Sequence, residues 1–407
     1  MAVTYQQTVL PSGLRICAEV DPAAHTSAIG FFVKTGARDE AGPLMGVSHF
    51  LEHMMFKGTT NRTAEDVNRD FDNLGARSNA YTSSEMTAFH AAVLPDKLPV
   101  ATEILADMLR PALRVADFTT EKSVILEEIA MYADEPVWQL YERLVEEHYG
   151  RESSLSHRVL GTPETIKAME AEQMKAYFDN RYSADNTTVA MAGKIDFDAM
   201  VKHLTALCGH WGSTGAVRTS VAPPPKNVEF VMKDPKVSRG YRMSMARGPG
   251  MTDDQRYVAF CAMQLLGGSD NSLLHWALVE PGLAENADAG HDPHDGSGSV
   301  RLFIATEPAG LEKAWDIAME QVTKLAELVT EKDLASIKSR VATGVVMAGE
   351  RPDGRMHRLG RMFMYSDKYK TLEQELDQIN TVTLEQVAAY LRHYPIMPAT
   401  VGTMIPA

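Results

Sequence analysis

Between Gly212 and Asn227 the chain runs through Gly, Ser, Thr and Pro and ends in Pro223-Pro224-Pro225. Such a run has few apolar side chains to bury and favours an extended, semi-rigid connection over packed structure. It divides the 407 residues into two stretches, each long enough to bury its own core. The boundaries expected are a first domain over 1–212, a linker over 213–227 and a second domain over 228–407.

The order of elements restarts after the linker. In the first stretch, turn signals at Pro11-Ser12-Gly13 separate two strand-like runs, and Ala28 to Val33 reads as a core strand. Helical periodicity follows from about Gly46, again over Ala64–Leu74 and Leu98–Leu113, with a strand-like run over Met86–Val93. Helices are predicted over 119–133, 137–149 and 170–178, and a buried strand over 187–193. The second stretch offers strands over 228–232 and 240–246 and helices over 254–266 and 332–348. The fold class is α+β, one architecture used twice.

Composition narrows the function classes. Fifty-four acidic against 40 basic residues leave a net charge of -14, which repels a nucleic-acid backbone. No stretch approaches the roughly 18 uninterrupted apolar residues of a membrane span. Three scattered cysteines, Cys17, Cys208 and Cys261, make no disulfide framework and read as small core residues. The N-terminus has no secretory signal, so the expected protein is soluble, cytoplasmic as the sequence stands and periplasmic if an export signal has been trimmed.

The chemistry lies at residues 46–59, Gly-Val-Ser-His-Phe-Leu-Glu-His-Met-Met-Phe-Lys-Gly-Thr. His49 and His53, four apart on a helix, project from one face and suit two nitrogen ligands on one Zn²⁺. Glu52 stays on that side, within reach of a water on the metal, in the H-x-x-E-H order of some zinc peptidases. Phe50, Leu51, Met54, Met55 and Phe56 embed this trio in core, which is costly unless something coordinates it. A third ligand is needed, and the helix from Glu121 to Tyr132 carries Glu121, Val124, Ile125 and Glu128 on one predicted core-facing stripe. Glu128 supplies the ligand, Glu121 supports it from behind, and Glu127 points elsewhere.

These residues resemble the pitrilysin-like M16 zinc metallopeptidases, in the branch that contains mitochondrial processing peptidase and its bacterial relatives. The likeness rests on 49–59, on Gly75-Ala76-Arg77-Ser78-Asn79-Ala80-Tyr81-Thr82, on the Glu121–Glu128 helix, on 186–193 and on Arg355-Met356-His357-Arg358-Leu359-Gly360. It implies two similar α/β-sandwich domains enclosing a chamber, His49, His53 and Glu128 as zinc ligands, Glu52 as general base and Glu121 as a supporting acid. It also makes Asn79, Ala80, Tyr81 and Thr82 part of an edge strand that binds short or unfolded peptides in extended form. From composition alone, the alternative for Asn79 is a turn residue.

Two features depart from the family pattern. Active single-chain relatives carry an Arg and, seven residues on, a Tyr that grip the substrate carbonyl; here Leu278 and Glu285 stand in those places. The second half offers Cys261-Ala262-Met263 where a second zinc helix would fall, and His291-Asp292-Pro293-His294-Asp295 reads as a loop. The expectation is therefore a zinc endopeptidase subunit whose Arg/Tyr pair comes from an M16-like paralogue in a heterodimer, a homodimer remaining possible. The alternative is a non-catalytic structural subunit of a larger complex.

Overall fold

The computed structural model describes residues 3–219 and 221–407. Along the chain the elements are β1 (Thr4–Val9), β2 (Arg15–Val20), β3 (Ser27–Val33), α1 (Val47–Met55), α2 (Ala64–Leu74), β4 (Arg77–Thr82), β5 (Thr87–Val93), α3 (Leu98–Met108) and α4 (Val115–Tyr132). There follow α5 (Pro136–Tyr149), α6 (Pro163–Ala168), α7 (Ala171–Arg181), β6 (Thr187–Gly193), α8 (Phe197–Cys208), β7 (Glu229–Lys233), β8 (Gly240–Gly248) and α9 (Gln255–Leu266). The chain closes with β9 (Asn286–His294), β10 (Ser297–Thr306), α10 (Leu311–Leu328), α11 (Glu331–Gly349), α12 (Pro352–Tyr365), α13 (Leu372–Asn380), α14 (Leu384–His393) and β11 (Thr400–Ile405).

Two compact units result, each built on one sheet. The first sheet has the order β1-β2-β6-β3-β5-β4 and the second β7-β11-β8-β10-β9. Strand senses repeat as well: β2 and β6 are parallel and the remaining steps to β4 antiparallel, just as β7 and β11 are parallel and the steps to β9 antiparallel. The duplication read from the order of elements is thus a duplication of topology, with β1 added to the first sheet.

The units do not follow chain order. Residues 131–156 pack with the second unit and 346–369 with the first, so α5 and α12 each cover the sheet of the opposite half of the sequence. The expected boundaries at 212 and 228 miss this exchange. Within the expected linker, 213–219 pack with the first unit through Arg218, which pairs with the buried Asp39, while 221–227 group with the second.

In the first unit β3 and β6 are buried along their whole length, because helices cover both faces. One face, with Ile29, Phe31, Phe89 and Ala91, packs on Phe50, Leu51 and Met54 of α1. The other, with Phe32, Ala88 and Ala92, packs on Met356, Leu359 and Phe363 of α12. Helix α12 can lie this close because residue 360 is glycine: a Cβ there would meet the Phe32 ring at 2.1 Å. It is also pinned by charge, since the buried Glu19 of β2 accepts hydrogen bonds from Arg355, Arg358 and the Tyr369 hydroxyl.

The segment His291–Asp295 corrects the expected loop. His291 to His294 belong to edge strand β9, paired with β10 through a turn at Asp295-Gly296. Pro293 and the surrounding glycines read as turn signals, but an edge strand tolerates a residue without an N–H. Val124, expected on the buried stripe of α4, is 41% exposed, while Phe118, Glu121 and Ile125 are buried. Among the described residues no helix is long and apolar enough to cross a membrane.

Helix α1 starts without a side-chain cap of its own: residue 46 is a glycine at φ 95°, wedged against Leu160, Gly161 and Ile166. Its first N–H groups are satisfied from a distance by Glu40, whose Oε2 accepts from Gly46 N at 2.7 Å and whose Oε1 accepts from Ser48 N at 2.8 Å. Burial pushes the Glu40 carboxyl up to about 8, against the pull of those two N–H groups. Glu40→Ala leaves two buried N–H groups unpaired and should cost about 2 to 4 kcal/mol in denaturant unfolding with an unchanged m-value; a loss below the error of the measurement would show that water replaces the carboxylate.

Candidate metal centre

The nine residues of α1 place five apolar side chains, Val47, Phe50, Leu51, Met54 and Met55, in the core. That packing leaves His49, Glu52 and His53 on the remaining side, with His49 itself buried. Helix α4 docks beside it through Phe118, whose ring stacks on Phe50 with centroids 4.8 Å apart and planes at 11°. From that contact α4 runs so that Ile125 stays in the core and Glu121 and Glu128, both directed at α1, reach the histidines. Glu127 is exposed.

His49 Nε2 and His53 Nε2 each lie 3.7 Å from Glu128 Oε2. That is too long for a hydrogen bond. It matches the edge of a donor tetrahedron: donors at 2.0–2.2 Å from a zinc ion stand about 3.3 to 3.6 Å apart. The three ligand atoms all lie within 4.8 Å of one another. Two nitrogens and one oxygen leave a fourth position open, so this donor set suits a catalytic zinc ion.

The surroundings favour the state a ligand needs. Burial pushes His49 down to about 4, with help from the neighbouring His53, so the imidazole is neutral. His53 Nδ1 donates to Glu121 Oε1 at 2.8 Å, which leaves Nε2 with its lone pair toward Glu128. Glu121 is 3% exposed. Burial alone would raise its carboxyl, but hydrogen bonds from Lys57 and His53 outweigh it and hold the group below its ordinary range.

Glu52 is half-buried, and its Oε2 accepts from the Thr82 hydroxyl at 2.6 Å. Burial raises its carboxyl, the Thr82 bond opposing. Thr82 ends β4, which pairs only with β5 among the described residues and is the free edge of its sheet. Alternation along the strand sends Ala80 into the core on the side of α1 and Asn79 and Tyr81 to the side of α12. Asn79 is exposed and strand-bound, not in a turn, and its Oδ1 accepts from Ala80 N at 2.9 Å. Sequence reasoning missed the parts played by Thr82 toward Glu52, Lys57 toward Glu121 and Glu40 at the start of α1. Of these, only Lys57, four residues beyond His53 and just past the end of α1, left a readable signal.

The second unit repeats the topology, but its helix in the place of α1 carries no such trio. Helix α9, between β8 and β9 as α1 is between β3 and β4, reads Gln-Arg-Tyr-Val-Ala-Phe-Cys-Ala-Met-Gln-Leu-Leu and has neither His nor acid. All three cysteines are buried and free. Leu278 is fully buried in the core of this unit, and Glu285 pairs with Arg239 at 2.6 Å.

Comparison with known proteins bears on both halves of the chain. Residues 15–163 match the family model for insulinase, peptidase family M16, and residues 168–341 that for the M16 inactive domain. A protein of Mycobacterium leprae described as an uncharacterised zinc protease is 32% identical over 393 residues, 94% of this chain and 87% of that protein. The uncharacterised zinc protease YmxG of Bacillus subtilis is 29% identical over 94% of this chain and 93% of its own. Among solved structures, a protease from Helicobacter pylori superposes with a TM-score of 0.93, all of both chains covered, at 18% identity, which speaks for the fold alone. With both domain models matched across most of its length and a relative at this identity, the chain belongs to peptidase family M16.

Proposed function

We propose that the protein is a zinc-dependent endopeptidase subunit that hydrolyses short or unfolded peptides held as extended strands. The convergence of His49, His53 and Glu128 at ligand spacing, beside a half-buried and oriented Glu52, carries this reading. His49 Nε2, His53 Nε2 and a Glu128 oxygen would hold the metal, and relatives named zinc proteases support its identity. Zinc, when bound, supplies the Lewis acidity that polarises a scissile carbonyl and lowers the pKa of water.

The remaining work falls to the chain. Thr82 fixes Glu52 by its Oε2, leaving Oε1 to take the proton from the attacking water and return it to the leaving amine nitrogen. Burial, which raises the Glu52 carboxyl, brings its proton affinity closer to that task. Glu121 and Lys57 hold His53 in one tautomer through each turnover. A peptide adding to the free edge of β4 would displace Asn79 Oδ1 from the Ala80 N–H and lie against the end of the strand where Thr82 meets Glu52.

His49→Ala, His53→Ala or Glu128→Gln should each abolish tight zinc binding, while Glu52→Gln keeps about one equivalent and loses turnover. Zinc content by atomic emission and hydrolysis of a quenched unfolded peptide read the two effects separately; zinc lost from the Glu52 variant would remove Glu52 from the role of base. Glu121→Gln should weaken zinc affinity or rate roughly ten- to a hundredfold without abolishing binding, and wild-type values would make it an ordinary helix charge.

Neither Leu278, buried in core, nor Glu285, occupied by Arg239, offers a donor to a developing oxyanion. This supports a heterodimer in which an M16-like paralogue provides the Arg/Tyr pair. Peptidase activity should rise sharply when such a paralogue is mixed in and fall again when its Arg or Tyr is replaced; full activity of this chain alone would assign the oxyanion to a group within it.

A further inference from the structure

The sheet of the first unit carries a second cluster on its opposite face. His90 sits on β5, on the side turned toward α12, and Asp353 and His357 sit one turn apart on α12 itself. His90 Nδ1 is 3.8 Å from Asp353 Oδ1, and His357 Nε2 is 3.6 Å from the same oxygen. The two imidazoles stand 4.4 Å apart, centre to centre, with planes at 74°.

The spacing repeats that of the first cluster. There, two imidazole nitrogens lie 3.7 Å from one carboxylate oxygen and the rings are 4.6 Å apart. Here again the separations are too long for hydrogen bonds and close to the edge of a donor tetrahedron. His90 Nδ1 is buried and has no hydrogen-bond partner in the protein, which costs free energy unless something takes up its lone pair. All three ligand atoms again fall within 4.8 Å of one another.

We propose that His90, Asp353 and His357 form a second transition-metal site, which takes Zn²⁺ or another borderline divalent ion and clamps α12 to β5. Two imidazoles and one carboxylate lack the soft sulfur ligands that select Cu(I) and are too nitrogen-rich for Mg²⁺ or Ca²⁺. A cavity of about 500 Å³, lined by Asn79, His90 and Asp353, adjoins the cluster and leaves room for water to complete the coordination. Arg77 and Arg351 line the same cavity. Their charge opposes a cation, so the site should bind zinc more weakly than the first. The role is structural: the ion would tie a helix from late in the sequence to a strand from its beginning, beside the Glu19 ion pairs that pin the same helix.

The inference does not depend on the peptidase reading, and the test separates them. Full-length protein equilibrated with excess Zn²⁺ should bind about two equivalents by calorimetry, and a His49→Ala/His53→Ala variant about one. Adding Asp353→Asn or His357→Gln to that variant should abolish the remaining equivalent. Asp353 has 43% of its side chain exposed, so its substitution leaves the packing intact. Co²⁺ in the His49→Ala/His53→Ala protein should give a visible absorption band that disappears with Asp353→Asn. A single equivalent in the wild type and none in the double variant would overturn the proposal, as would a second equivalent that survives both changes at Asp353 and His357.

Discussion

Two imidazole nitrogens 3.7 Å from one carboxylate oxygen, too far apart to share protons and too close to be indifferent, are the constraint on which the first unit turns. Left to themselves, such groups on a largely buried helix would each carry a desolvation cost. A divalent ion at these three groups would convert that cost into binding energy, and the rest of the local structure keeps the spacing fixed. Glu40 holds the start of α1, the Phe50–Phe118 stack sets α4 beside it, and Glu121 with Lys57 fixes the His53 ring. Each support lies outside the three candidate ligands, and each acts through only one or two side-chain contacts.

Much of this was legible in the sequence because it is local. The four-residue spacing of His49 and His53 on an apolar helix, and the seven-residue spacing of Glu121 and Glu128, translate directly into shared faces. Strand β6 and helix α2 fall where a buried apolar run ending at a glycine and helical periodicity place them. That α9 carries neither His nor acid was readable once the order of elements was seen to repeat.

What escaped is non-local. The exchange of α5 and α12 between units leaves no trace in periodicity, since a helix reports only which of its faces is apolar and not which sheet receives it. In α12 the polar face bears Arg355 and Arg358, which look solvent-bound until Glu19, buried on a distant strand, receives them. The His90 cluster escaped for the same reason: one of its residues lies on a strand and two on that helix, so no fixed spacing joins them. Strand β9 was misread because Pro and Gly are turn formers in general and only an edge position excuses them.

The most direct test of the account is X-ray absorption at the zinc edge on protein loaded with one equivalent in the Asp353→Asn background, where a single site remains. The account expects two imidazole nitrogens near 2.0–2.1 Å with oxygen completing the shell, and loss of this imidazole-bound zinc after His53→Ala. An all-oxygen or sulfur-containing shell, or an imidazole count unmoved by that substitution, would contradict it.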